Sequence, residues 1–219
     1  MRLRRDLLLL SFAAALLGAM AARAQTTSDG GPANSDAAKS DSPKADSAKP
    51  RPNLDTAEGR KTALDDLFAR LAKAGDDREA GVIAGAIQRV WLHSGSDTAD
   101  LLLSRARDAM KSKDWGLSEQ VLDKVIELQP DWAEAWNQRA TERFSADDFS
   151  GSIEDVAHVL ALEPRHFGAL SGLGIMLRQM DMKKEALRVF RKALEVNPRQ
   201  DELKKMVDKL APEIDGQDL

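Results

Sequence analysis

Three prolines, Pro130, Pro164 and Pro198, are evenly spaced along the chain, and this spacing limits the possible folds more than any other feature. The residue before a proline avoids the α-helical region, so each proline marks the end of a helix. Each one also follows an apolar run typical of a helix C-terminus: VIELQP, VLALEP and ALEVNP. A fixed period of this kind indicates a repeat protein, in which each unit buries its apolar face against its neighbours.

A 34-residue period of two helices that ends in proline resembles the tetratricopeptide repeat (TPR), and aligning the pattern of that family on these prolines gives three units, 99–132, 133–166 and 167–200. Two columns of the alignment hold small residues, at which paired helices can approach to the low end of the usual separation of about 8–10 Å. These columns are Ala106, Ala140 and Gly174, followed by Ser118, Ser152 and Ala186. Three further columns are apolar: Leu102, Trp136 and Leu170; Leu122, Val156 and Phe190; and Val125, Val159 and Ala193.

The small residues in two of these columns also resemble the TPR pattern. The stretches AEAWN at 133–137 and EAL at 185–187 are especially similar to the family. The resemblance implies an all-α fold, a right-handed α-solenoid of helix-turn-helix repeats. Arg139 and Arg143 depart from it, because the family has leucine-like and tyrosine-like residues at these two columns. Such half-buried arginines need acidic partners or a path to water.

Both flanks of the repeats show helical spacing as well. Apolar residues at i, i+3, i+4 and i+7 predict two helices joined by a short turn in 57–98. They are Leu64, Leu67, Phe68 and Leu71, then Ala80, Ile83, Ala84, Ile87, Val90 and Trp91. We interpret 57–98 as a divergent first repeat. After the repeats, Leu203, Met206, Val207 and Leu210 predict a capping helix over 201–211, followed by a flexible tail over 212–219.

The N-terminal segment differs from the rest in composition. A basic start (Arg2, Arg4 and Arg5), an apolar stretch over 7–20 and the sequence Ala22-Arg23-Ala24 predict a signal peptide over 1–24. The apolar stretch is shorter than the roughly 20 residues that span a bilayer, so we expect no membrane span in the mature form. An uncleaved signal anchor is the alternative. Residues 25–56 are rich in Ser, Asp, Ala, Lys and Pro, which predicts a disordered linker. In a Gram-negative bacterium, the mature protein would be periplasmic.

The composition argues against several kinds of chemistry. The formal net charge is −4, and it becomes −7 once the four arginines and one aspartate of the predicted signal peptide are removed, so nucleic acid is not an expected partner. The chain has no cysteine, and His93, His158 and His166 lack the spacing of metal ligands. No glycine-rich phosphate loop is found. We therefore expect no catalytic residues, no cofactor and no metal, and we do not expect an enzyme.

The TPR resemblance implies a concave groove lined by the first helix of each repeat. The implied groove residues are Leu103, Arg107, Met110 and Lys111; Glu134, Asn137, Thr141 and Phe144; and Ser171, Ile175 and Arg178. Apolar and cationic side chains together suit an extended or helical peptide that carries carboxylates. Alternatively, this face is solvated and its arginines pair internally with Glu119, Asp123 or Glu154. The residues of the carboxylate-clamp subfamily are not reproduced, so its ligand is not implied.

These observations predict a non-catalytic TPR scaffold or adaptor of the cell envelope that binds a partner protein or peptide. It would be a monomer or weakly self-associating. The alternative is a structural or self-assembling envelope protein without a peptide ligand.

Overall fold

The computed structural model of the chain describes residues 52–216; the predicted signal peptide and most of the predicted linker lie outside the described residues. The described part contains nine helices and no strand. They are α1 Ala57–Leu71, α2 Asp77–Trp91, α3 Asp97–Lys111, α4 Trp115–Leu128, α5 Ala133–Ser145, α6 Phe149–Leu162, α7 Phe167–Gln179, α8 Lys183–Val196 and α9 Asp201–Asp215. The predicted all-α helical-repeat fold is confirmed.

The turn inside each repeat has the same backbone conformation. Lys113, Asp147 and Asp181 have φ angles of 61°, 70° and 63°, in the left-handed region that residues with a side chain seldom adopt. The next residue is the N-cap of the second helix. In repeats 1 and 2 it is an aspartate, Asp114 or Asp148, whose carboxylate accepts a hydrogen bond from a backbone N–H of the first turn. The turns therefore recur in the same register as the prolines.

The small columns allow the two helices of a repeat to pack closely, as the sequence predicts. Ala106 and Ala140 are buried, and the Ser152 hydroxyl donates a hydrogen bond of 2.7 Å to the carbonyl oxygen of Ala140. In repeat 3 a Cβ on Gly174 would lie 2.2 Å from the ring of Phe190, which is fully buried. Glycine is therefore required at this contact.

Successive repeats stack in series through the first helix of each. Ala135 of α5 packs with Leu122 and Val125 of the preceding repeat. The same arrangement recurs one repeat later, where Ala169 and Met176 of α7 join Val156 and Val159, and again where Leu203 and Leu210 of α9 join Phe190 and Ala193. Helix α9 thus occupies the place of a fourth first helix and covers the end of the series.

The capping helix is longer than the sequence predicts. Helix α9 continues past the expected end at 211 to Asp215, even though Pro212 lies inside it. Ile214 is buried in the core of repeat 3, and Lys183 of α8 forms an ion pair of 2.9 Å with Glu213. Contacts with α8 outweigh the preference of proline for a helix end, so the predicted tail over 212–219 begins too early.

The hairpin of α1 and α2 has the predicted helices and the predicted buried face, but it does not stack as a first repeat. Helices α2 and α3 do not pack against each other as the second helix of one repeat and the first helix of the next repeat do. Instead, the hairpin core of Phe68, Ile87 and Trp91 includes Phe167 of repeat 3. The interpretation of 57–98 as a member of the series is therefore corrected, because aromatic and arginine contacts hold the hairpin against later repeats.

Candidate protein-interaction groove

The groove residues implied by the sequence lie on α3, α5 and α7, the first helices of the three repeats. Most are half-buried, as expected for the floor of a concave surface: Arg107, Met110, Asn137, Thr141, Phe144, Ser171, Ile175 and Arg178. Lys111 is exposed. Leu103 and Glu134 are the exceptions, because both are buried; Leu103 is only 2% exposed and packs in the core of repeat 1 with Ala99 and Ala106. Leu103 is therefore a core residue and cannot contact a partner.

Three apolar side chains of the candidate groove are anchored by the repeat cores beneath them. Met110, Phe144 and Ile175 pack against the buried clusters of repeats 1, 2 and 3, respectively. Phe144 also meets Phe149 edge to face, with ring centroids 5.6 Å apart. Each side chain remains partly accessible while its position is held from below, so the surface offers preformed apolar contacts.

The hydroxyl groups of the candidate groove donate to their own helices. Thr141 donates to the carbonyl oxygen of Asn137 at 2.9 Å, and Ser171 donates to that of Phe167 at 2.7 Å. Their protons are therefore used within the protein, whereas their oxygen lone pairs can still accept hydrogen bonds.

The two half-buried arginines of the candidate groove, Arg107 and Arg178, differ from the other half-buried arginines of repeats 1 to 3. Arg139, Arg143 and Arg165 all form ion pairs. Within residues 52–216, the guanidinium groups of Arg107 and Arg178 have neither an ion pair nor a hydrogen bond. Lys111, by contrast, pairs with Asp108 at 2.8 Å. A guanidinium that is half removed from water and unpaired is ready to bind an anion, since it gains charge-assisted hydrogen bonds without first losing others.

The arginines at the atypical columns find acidic partners, as the sequence predicts. Arg139 and Arg143 both contact Asp155, at 2.7 Å and 3.0 Å, and this carboxylate is only 1% exposed. Arg139 also pairs with Asp123 at 2.7 Å, and its guanidinium lies 4.9 Å from the ring centroid of Trp136. These two arginines neutralise a buried carboxylate and are not available to a ligand.

A second polar cluster includes two of the implied groove residues, Glu134 and Asn137. The buried Glu134 carboxylate accepts hydrogen bonds from Gln138, from Asn137 at 3.3 Å and from His166 Nε2 at 3.2 Å. His166 Nδ1 accepts from the backbone N–H of Ala169 at 3.0 Å, so the ring proton resides on Nε2. His166 thus caps α7 and orients Glu134, which in turn fixes the amide of Asn137.

Glu142 is a buried acid between repeats 1 and 2. Burial raises the pKa of this carboxyl from 4.5 to about 7, and the negative charge of Glu119 adds to the increase. A hydrogen bond with Ser118 and the charge of Arg143 act in the opposite direction. From this pKa shift we expect the stability of these two repeats to depend on pH.

Sequence reasoning missed the arginines that hold the hairpin. Arg165 and Arg199 each follow a repeat proline, and their guanidinium groups reach Asp65 of α1 and Asp77 of α2. The recurrence of the pair Pro-Arg at the same place in successive repeats was a visible signal. The helical pattern gave no reason to connect these arginines with residues so far away in the sequence.

Residues 52–216 contain no group of acidic or histidine side chains arranged to hold a metal ion. Over the same range, no helix has the length and apolarity needed to cross a bilayer.

The serial stacking and the lined surface define a helical-repeat protein of the TPR type. No family model matches the chain. The chain is 37% identical over 156 residues to a TPR repeat-containing protein of Rhizobium etli, an alignment that covers 71% of this chain and 76% of the relative. The chain belongs to the TPR repeat family. It is also 29% identical over 107 residues to small glutamine-rich tetratricopeptide repeat-containing protein 2 of Mycosarcoma maydis, but spans only 30% of that protein.

Solved TPR domains share the fold at low sequence identity. The Sgt2 TPR domain from Aspergillus fumigatus has a TM-score of 0.51 at 19% identity, over 56% of this chain and 83% of that one. The Arabidopsis OM64 TPR domain has the same TM-score of 0.51 at 19% identity, over 57% of this chain and 99% of that one. The first TPR of Spaghetti (RPAP3), bound to an HSP90 peptide, has a TM-score of 0.50 at 19% identity, over 53% of this chain and 92% of that one.

Proposed function

We propose that this protein is a non-catalytic adaptor whose groove binds an acidic peptide segment of a partner protein. The observation that carries the proposal is the presence of two half-buried arginines, Arg107 and Arg178, without acceptors among residues 52–216. They flank the partly accessible Met110, Phe144 and Ile175 along the three first helices. A peptide carboxylate would pair with the guanidinium groups, and apolar side chains of the peptide would cover the surface between them.

The solved TPR domains support the class of ligand. The RPAP3 domain was solved with the HSP90 peptide SRMEEVD, which contains three acidic residues. At 19% identity this likeness concerns the fold, and the ligand itself is not transferred to the present chain. The RPAP3 structure indicates that a TPR domain can hold an acidic peptide.

Binding to acidic peptides tests the proposal directly. An array of peptides that vary in acidic content is measured against the mature protein and against the variant Arg107→Glu/Arg178→Glu. Since a hydrogen bond to a charged group contributes about 1.5–3 kcal/mol and two guanidinium groups are reversed, we expect the variant to weaken binding by roughly a hundred-fold or more.

The matched control reverses two exposed arginines that are not on the groove, Arg105→Glu/Arg188→Glu. This variant changes the net charge equally and should keep the affinity. Equal losses of affinity in both variants would show that net charge, and not the groove, causes the effect. Unchanged affinity after the groove reversal would refute the groove as the binding site.

We further propose that the adaptor acts in the cell envelope, exported by the signal peptide over 1–24, with the linker over 25–56 preceding the helices in the mature protein. The motivation is the order of basic, apolar and small residues within 1–24. Fractionation of cells together with the mass of the recovered protein tests this. Export and cleavage are supported if the protein in the periplasmic fraction has the mass of a chain that begins at Gln25. The full-length mass in a membrane fraction would indicate a retained anchor, and recovery from the cytoplasm would contradict export.

One observation favours the second candidate function, self-assembly. Ala135 of repeat 2 and Ala169 of repeat 3 are buried where each first helix stacks on the preceding repeat. The equivalent residue of repeat 1, Leu101 on α3, is 62% exposed, because the hairpin does not stack on α3. Light scattering over a range of concentrations separates the two functions. A mass that grows with concentration, and that falls in Leu101→Glu, would support assembly through α3; a constant monomer mass would exclude it.

A further inference from the structure

The hairpin of α1 and α2 contacts three loops that each contain a repeat proline. We define these proline loops as residues 130–132, 164–166 and 198–200. At the first loop, Trp132 Nε1 donates a hydrogen bond of 2.7 Å to the carbonyl oxygen of Trp91 at the end of α2. At the second loop, the His166 ring stacks on the Trp91 ring with centroids 4.0 Å apart. One residue of the hairpin thus links the ends of repeats 1 and 2.

The second proline loop also holds α1. Arg165 donates to Asp65 at 2.7 Å, and its guanidinium lies 4.4 Å from the ring centroid of Phe68. The Glu163 carboxylate forms an ion pair with Nε of the same guanidinium at 2.9 Å. The hydrogen bond from Arg165 is the main cause that lowers the pKa of the Asp65 carboxyl, followed by the one from Lys61.

The third proline loop holds the turn between α1 and α2. Arg199 forms an ion pair of 3.0 Å with Asp77 and donates to the carbonyl oxygens of Gly75 at 3.0 Å and Ala74 at 3.4 Å. Val196, at the end of α8, packs against the hairpin core. Arg165 and Arg199 occupy the same column of repeats 2 and 3, so the second and third loops hold the hairpin in the same way.

A solenoid without such contacts changes its curvature easily. Each repeat touches only its neighbours, so the overall shape is the sum of small rotations at successive interfaces. The hairpin adds contacts that connect repeats 1, 2 and 3 through a single rigid element. Helix α2 has 15 residues and is about 22 Å long, and it reaches from the third proline loop at Asp77 to the first proline loop at Trp91. Any rotation between repeats would move the loops relative to one another and break contacts with the hairpin.

We infer that the α1–α2 hairpin is a brace, which fixes the curvature of the three repeats through the contacts of Trp91, Arg165 and Arg199 and so holds the groove in one shape. A groove held in this way needs no reordering when a ligand binds, which reduces the cost of association. The inference concerns the shape of the free protein and does not depend on the proposed ligand.

Distance measurements between spin labels test the brace in the mature protein. The chain contains no cysteine, so labels can be introduced without removing native residues. Gln120→Cys and Arg188→Cys place labels on exposed, equivalent sites of α4 and α8 and report the span from repeat 1 to repeat 3. Val82→Cys, an exposed site on α2, combined with Arg188→Cys reports whether the hairpin is docked.

We expect narrow distance distributions for both label pairs in the native background. The reversal Arg165→Glu/Arg199→Glu should broaden both, because the hairpin leaves the proline loops and the repeats then sample several curvatures. Adding Asp65→Arg and Asp77→Arg exchanges the charges of each pair and should restore the narrow distributions. This restoration also distinguishes a lost brace from a general loss of folding.

Two results would overturn the inference. If the hairpin is released but the distribution between 120 and 188 stays as narrow as in the native background, the repeats fix their own curvature. If the hairpin stays docked after the reversal, the two arginines are not the link.

Discussion

The three repeats and the N-terminal hairpin are built from similar amphipathic helices, yet they are held in different ways. Within the repeats, polar partners lie close in sequence: Arg139 and its partner Asp155 are 16 residues apart. The hairpin depends on partners 100 and 122 residues away, the pairs of Arg165 with Asp65 and of Arg199 with Asp77. The comparison shows that an apolar helix face determines that a segment is buried, while a few aromatic and arginine residues in the loops determine where.

Removal of the Trp91 side chain should have the largest effect and should separate the two regions. Trp91 is buried among Phe68, His166 and Phe167, so Trp91→Ala is expected to cost about 3–5 kcal/mol of hairpin docking. Hydrogen exchange should then accelerate in α1 and α2 while α4 to α8 remain protected. Trp91→Phe is the control, because the indole N–H has no partner among the described residues and the smaller ring keeps most contacts. Equal acceleration in all helices would contradict the separation.

Loss of the buried Asp155 carboxylate should destabilise the repeats rather than the hairpin. Asp155→Ala leaves Arg139 and Arg143 half-buried without their shared partner, which is expected to cost about 3 kcal/mol, at the lower end for a broken buried ion pair. Urea unfolding with helix content as the probe measures the loss, which should fall on the repeats. Asp123→Ala removes the exposed partner of Arg139 and should cost less than about 1 kcal/mol. Similar costs for both variants would contradict the assigned role of burial.

The stability of the repeats should depend on pH through Glu142. Its pKa in the folded protein, about 7, lies above the ordinary value of 4.5, so the folded state keeps the proton to higher pH than the unfolded state does. The contribution of Glu142 to the free energy of unfolding therefore decreases as the pH rises from 4.5 to about 7. Glu142→Gln should stabilise the protein by up to about 3 kcal/mol at pH 8 and have little effect at pH 4.

Urea unfolding at both pH values measures this difference, with Glu119→Gln as a control that removes only the neighbouring charge. A stabilisation of equal size at pH 4 and pH 8 would show that burial of the carboxylate is not its cause. Because Glu142 lies in the repeats, the hairpin variants should leave the pH dependence unchanged.

A glycine in the first repeat turn should have the smallest effect and should stabilise. Lys113 is exposed and has a φ angle of 61°, which a residue with a side chain adopts at a cost of about 1 kcal/mol. Lys113→Gly should therefore raise stability by roughly 0.5–1 kcal/mol, measured as a shift in the thermal midpoint. Lys113→Ala keeps the strain and serves as the control; an equal gain in both variants would point to the lysine charge instead.

The helices and the repeat core could be predicted from the sequence because their signals are local and periodic. The prolines gave the register, and the small columns at Ala106, Ala140 and Gly174 pack as expected. The prediction failed at Leu103, which the family alignment assigns to the groove. In the structure that side chain packs in the core of repeat 1, beside the small residues Ala99 and Ala106. It also ended α9 too early, since the contacts of α8 with the last turn carry the helix through Pro212.

By itself, the sequence determined the period, the helices, the small-residue contacts and the need of Arg139 and Arg143 for acidic partners. All of these depend on spacing along one or two helices. Only the tertiary structure decided that the hairpin lies across the proline loops, that Asp155 is the shared partner and that Arg107 and Arg178 lack one. The hairpin contacts join residues about a hundred positions apart, and Asp155 lies on a different helix from its two arginines. The energy of each contact therefore depends on distances that only the folded structure creates.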